Sequence, residues 1–191
     1  RARHREGHRH RGRPGVTRAR TTTSELLLGE WACLGIVSRS PTHGFAVAAR
    51  LRPDADIGRI WSLSRALTYR SLDQLTARQL IEPIGEEPGR AGPNRTILAA
   101  TRRGRHQFRR WLQTPVDHVR DLRSELLLKI ALAAENDVDI TAMLAAQHAQ
   151  LTRFLANLDA EGDPTDAVQL WRREAAAAAL RFLERLPPSG G

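Results

Sequence analysis

The feature that most narrows the folds open to this chain is a change of apolar period at Leu80. Up to that point apolar residues recur at helical spacing in three successive segments. "LIEPIGEE" and "NRTILAAT" then read as two short strands, joined by "PGRAGP", whose two glycines and two prolines suit a hairpin loop. From Thr101 to Pro115 helical spacing returns, with Phe108, Trp111 and Leu112 grouped on one side. The expected fold is therefore mainly α with one small sheet. At 191 residues there is room for a second helical unit behind the first.

The first helical segment, "TSELLLGEWACLGIVSR", has Ser24 as an N-cap and apolar residues at Leu27, Leu28, Trp31, Leu34 and Ile36 or Val37. Pro41 and Thr42 open a second, short helix that turns Phe45, Val47 or Ala48, and Leu51 inward and ends at Pro53. The third, in "GRIWSLSRALTYRSLDQLTARQLIEP", is capped by Ser62 or Ser64. At 100° per residue Ser64, Thr68, Ser71, Leu72, Leu75 and Gln79 fall on one half and Ala66, Tyr69, Arg70 and Asp73 on the other, with Leu63 and Arg65 at the borders. Three helices followed by a hairpin are the order of a winged helix-turn-helix.

Pro115 to Asp121 marks a boundary, which divides the chain into an arm over 1–22, a winged domain over 23–114 and a helical domain over 115–187. Three apolar stripes follow the boundary. The first holds Leu122, Leu126, Leu127 and Ile130; the second runs from Ile140 and Met143 to Leu151, Phe154, Leu155 and Leu158; the third holds Val168, Trp171, Ala175, Ala178, Phe182 and Leu186. So small a unit cannot bury all three alone, and a second copy of the chain is the simplest neighbour. Leu122, Leu126, Ile130, Leu151, Phe154, Leu158, Trp171 and Phe182 are the candidate dimerisation residues.

Charge is distributed unevenly. Residues 1–20 hold 8 Arg against 1 Glu, residues 21–113 hold 14 Arg against 8 acids, and residues 114–191 hold 8 basic residues against 12 acids. The corresponding balances are +7, +6 and −4, so a polyanion partner is expected at the front and another task behind. The segment "RARHREGHRHRGRPGVTRAR" has little to bury and is expected to be disordered when free, either as a basic arm on a nucleic-acid backbone or as a solvated tail. His4, His8 and His10 lack a carboxylate or thiolate companion there, so no metal site is expected.

Cys33 is the single cysteine, which fits a reducing, cytoplasmic setting and excludes a disulfide scaffold. No apolar run reaches the roughly 18 residues of a membrane span. Neither a phosphate loop, a His-Glu-x-x-His helix nor a Gly-x-Ser-x-Gly elbow is present, so neither catalysis nor a cofactor is expected.

The outward half of the third helix is suited to a DNA major groove, where guanidinium groups grip base-edge acceptors and a tyrosine meets phosphate or a thymine methyl. Ser62, Ser64, Arg65, Tyr69 and Arg70 are the candidates on or before it, with His43 beside the second helix and Arg90 and Arg95 on the wing. Each has a plainer reading, as a solvated charge or a packing ring; their coincidence on the third helix of this order favours DNA. Arg102, Arg103 and Arg105 read either as phosphate contacts or as the wet side of the fourth helix, with the second reading preferred. The alternatives are a winged interaction module that reads no sequence, and a small-molecule sensor built on Trp31, Trp61, Trp111 and Trp171.

Several motifs match a known pattern: Pro41-Thr42-His43-Gly44 with Phe45, Trp61 before the third helix, Tyr69 within it, Thr101-x-x-Gly104-Arg105, and "HVRDLRSELLLK" opening the tail. Over roughly residues 24–185 the chain resembles the PadR-like transcriptional regulators, in the subgroup with a longer helical C-terminal domain. The resemblance implies a homodimer, usually a repressor, that binds an inverted repeat of double-stranded DNA. In some relatives a small aromatic compound at the dimer interface releases the DNA. Phe45 stands where that family often has Tyr, and the Arg-rich arm lies outside its pattern.

Overall fold

The computed structural model describes residues 26–89, 94–161 and 166–187. The 1–22 arm, Ser24, the three N-terminal histidines and Arg90 lie outside the described residues, and the N-cap expected at Ser24 falls instead at Leu27. Helix α1 (Leu28–Arg39) is buried on every side from Gly29 to Val37, the property of a central helix. Glu30 fixes its start: the carboxylate accepts the Leu27 N–H at 2.8 Å and faces the Arg78 guanidinium at 3.7 Å.

Thr42 and His43 form strand β1, and helix α2 (Gly44–Arg50) begins only after them. This corrects the expectation that Pro41 and Thr42 open the helix. The two residues pair antiparallel with Leu98 and Ile97 instead, and His43 becomes the cap, its Nδ1 accepting the Ala46 N–H at 3.0 Å. The later start also changes which face is inward. Gly44, Val47, Ala48 and Leu51 are buried at helical spacing, and Phe45, expected inward, is half exposed.

Helix α3 (Arg65–Ala77) takes Ser64, not Ser62, as its cap, with the Leu67 N–H 3.3 Å from Ser64 Oγ. Thr68, Leu72 and Leu75 face the core, as the angular reading requires. Gln79 lies beyond the helix in the left-handed region at φ 58°, which turns the chain into strand β2 (Ile81–Glu87). Strand β3 (Arg95–Ala100) lies between β1 and β2, antiparallel to both, in register from Ile81 opposite Ala100 to Glu87 opposite Arg95, with an irregularity between Pro83 and Gly85. Thr101 caps helix α4 (Arg102–Leu112): its Oγ1 accepts the Gly104 N–H at 3.0 Å and donates to the Gln79 carbonyl at 2.8 Å.

A 3₁₀ turn (Val119–Asp121) and a π turn (Leu122–Leu126) lead into α5 (Leu127–Glu135), α6 (Thr141–Glu161) and α7 (Ala167–Arg185). At the junction Trp111 stacks on Trp31 with centroids 4.8 Å apart, and its Nε1 donates to Glu125 Oε1 at 3.1 Å. The buried Lys129 ammonium lies 2.8 Å from the same carboxylate oxygen and donates to the Thr114 carbonyl at 2.6 Å. Residues from Leu26 to Ala176 share one continuous apolar core, so the core runs past Pro115 without a break. The architecture is mainly α, a winged helix-turn-helix followed by helices. No helix among the described residues is long and apolar enough to cross a membrane.

Candidate nucleic-acid interface

Side chains from four elements converge beside the wing. Arg65 and Tyr69 come from α3, Phe45 from α2, His43 from β1 and Arg95 from β3, and together they line a cleft of about 690 Å³ with Asp73, Thr76 and Asn94. Phe45 stands between two cations, its ring centroid 5.7 Å from Arg65 Cζ and 5.3 Å from Arg95 Cζ. Arg65 Cζ also lies 5.7 Å from the Tyr69 ring. These rings hold flexible guanidinium groups in place through their π faces while leaving the N–H edges free. Tyr69 can lie so close because of Gly44, where a Cβ would stand 3.0 Å from Tyr69 Cε1.

The hydrogen bonding of His43 adds a directional feature. Its Nδ1 accepts from Ala46, so the neutral ring carries its hydrogen on Nε2, and Arg95 Nη1 lies 3.3 Å from that nitrogen. Two donors therefore face the same space, and an anionic oxygen placed there would accept from both. Among the described residues Arg65, Arg70 and Arg95 enter no ion pair, so their charge is not neutralised internally.

Of the sequence candidates, His43, Arg65, Tyr69 and Arg95 come together in the cleft. Ser64 is engaged as the α3 cap, while Ser62 and Arg70 are exposed and do not line the cleft. Apolar character alone points Phe45 to the core; the i, i+3, i+4, i+7 spacing counted from Gly44 places it outside.

A second concavity, of about 780 Å³, lies in the rear half between the 117–127 segment and α7. Leu122, Leu126, Phe154, Trp171 and Phe182 line it, with Arg120, Arg123 and Arg172 among its polar residues. Leu122, Leu126 and Leu151 are buried inside the chain itself, and Ile130, Phe154 and Leu158 are half buried. Trp171 is 73% exposed and Phe182 36%. Elsewhere, burial pushes the Cys33 thiol up to about 12, which leaves it an inert core residue at neutral pH.

The fold and this cleft define a winged helix-turn-helix protein whose third helix and wing carry arginines with no ion pair among the described residues. No family model and no curated protein matches the chain. Among solved structures it is similar in fold to Bacillus subtilis PadR in complex with operator DNA, at 15% identity and a TM-score of 0.44, over 81% of this chain and 94% of that one. The same PadR in complex with p-coumaric acid gives 16% and 0.42 over 83% and 95%. A PadR-like transcriptional regulator from Bacillus cereus gives 19% and 0.39 over 85% and 95%. At these values the likeness is loose, and what each of those proteins binds is a property of that protein.

Proposed function

We propose that the chain is a cytoplasmic, homodimeric, sequence-specific DNA-binding transcriptional regulator, acting as a repressor on an inverted-repeat operator. The observation that carries this reading is the convergence of Arg65, Tyr69, Phe45, His43 and Arg95 on one cleft, with neither arginine in an ion pair among the described residues. The exposed face of α3 enters a major groove, where Arg65 and Tyr69 meet base edges. The His43 and Arg95 donors hold one backbone phosphate between them and so fix the helix in register.

Residues 23–114 form the reading unit in this proposal and residues 115–187 the dimerising one, with the exposed stripe of α7 meeting a second copy. The aromatic lining of the rear groove supports the small aromatic effector that the family resemblance implies. No catalytic step is assigned to the chain.

Selection of bound sequences from random duplex DNA tests this, with the full chain and with a chain lacking residues 1–22. An inverted repeat with half-sites about 34 Å apart is expected from both. No enriched sequence from either would overturn the reading and leave a winged interaction module.

A further inference from the structure

The solvent side of α4 carries a second cationic surface that the cleft does not use. Arg102, Arg103, His106, Arg109 and Arg110 are all exposed, and at 100° per residue they fall within an arc of about 120°. The other side of the helix is taken up by Gly104, Phe108, Trp111 and Leu112, all buried. Arg105 is spoken for, since its Nη1 donates to the Ala100 carbonyl. Among the described residues the other four arginines have no ion pair. The sequence alone favours a wet helix side for Arg102 and Arg103 of this face; the structure adds Arg109 and Arg110 beside them and, among the described residues, pairs none of the four with an acid.

We infer that this face of α4 binds the phosphate backbone of DNA outside the half-site read by α3. The surface is separate from the cleft: α4 starts at the far end of β3 from Arg95, roughly 17 Å along a strand rising about 3.3 Å per residue. From Arg102 to Arg110 the helix rises about 12 Å, against one phosphate per about 3.4 Å of axis on each strand, so the stripe matches three or four phosphates. Guanidinium forks take phosphate oxygens in pairs. A membrane surface fits less well, because the apolar side of α4 is already buried in the core and cannot insert. The inference shares its partner with the proposed function but does not depend on sequence reading.

The test compares the full chain with a variant carrying Arg102→Gln, Arg103→Gln, Arg109→Gln and Arg110→Gln, and with a second carrying Lys at the same four positions. Binding to a long random-sequence duplex is titrated across salt. The Gln variant is expected to show a log–log slope shallower by about 3 to 4, so that the wild type loses about a hundredfold more affinity between 50 and 200 mM salt. The Lys variant, which keeps the charge, should retain the wild-type slope. Any preference for a selected sequence should survive in both. A slope that changes by less than about one phosphate's worth, or a Lys variant as shallow as the Gln variant, overturns the inference. If selection recovers a repeat but the slopes agree, this surface alone fails; if nothing is selected but the slopes differ, the sequence-reading proposal alone fails.

Discussion

A methyl group added at Gly104 would stand 1.9 Å from the Leu80 carbonyl oxygen, because α4 lies directly on the turn that joins α3 to the sheet. The obstacle is backbone and cannot rotate away, so Gly104→Ala is expected to cost about 2–3 kcal/mol, measured by denaturant unfolding. Gln79 in the same turn is the converse case: at φ 58° it holds a conformation unfavourable to a side chain, and Gln79→Gly is expected to gain up to about 1 kcal/mol. In the cleft, Arg65 and Arg95 should separate by kind of effect. Arg65→Ala is expected to relax sequence preference, costing about 1–3 kcal/mol on the selected site, while Arg95→Ala weakens all duplexes alike. Equal losses on selected and random DNA for both would remove that division. Cys33 gives a pH effect whose sign follows from burial. Its thiol is raised from 9.0 to about 12 in the fold, so its contribution to stability is whole below pH 9 and lost as pH rises towards 12. Unfolding of the wild type between pH 9 and 12, compared with Cys33→Ala, should isolate that loss.

Among the elements, those with a sustained period were legible in the sequence: α1, α3, α4, the hairpin and the three rear helices all follow apolar spacing. Strand β1 was not, because two residues have no period, and Thr42 and His43 become a strand only through their pairing with β3. The π turn at Leu122–Leu126 was also hidden, since it interrupts a helical stripe that looks continuous. In the cleft, Arg65, Tyr69 and Arg95 could be found from position in the helix-helix-helix-hairpin order. The role of Phe45 and the His43–Arg95 contact needed the third strand. A long-range polar contact of the same hidden kind holds the segment after α4. Buried Gln147 of α6 accepts the Val116 N–H at 2.6 Å and donates to the Val116 carbonyl at 3.2 Å, so one side chain satisfies both main-chain groups. Gln150 also reaches that carbonyl, at 3.1 Å, so the N–H is the group left alone when Gln147 is removed. Gln147→Leu should therefore cost about 1–3 kcal/mol in denaturant unfolding, despite a gain in apolar volume.

At the scale of the whole molecule the charge division acquires a spatial meaning. The two arginine surfaces without ion pairs among the described residues, the cleft and the outer side of α4, belong to the front unit; exposed apolar side chains occur in both halves, and in the rear half they are Val168, Leu170, Trp171 and Phe182 of α7. Trp171 is 73% exposed, and in the proposed dimer covering that ring with a second copy removes a large apolar area from water. Trp171→Asp places a charge in the middle of the stripe without opening a hole in the core, since the ring is not part of it. The variant is expected to keep its unfolding midpoint and to sediment as a monomer, against the dimer proposed for the wild type. Its single cleft would still engage a half-site, but the second binding event is no longer intramolecular, so affinity for an inverted repeat should fall by about 10²- to 10⁴-fold while affinity for an isolated half-site stays level. A variant that remains dimeric would place the contact between copies elsewhere on the chain. One that turns monomeric yet keeps its affinity for the repeat would show that the two half-sites are not read together.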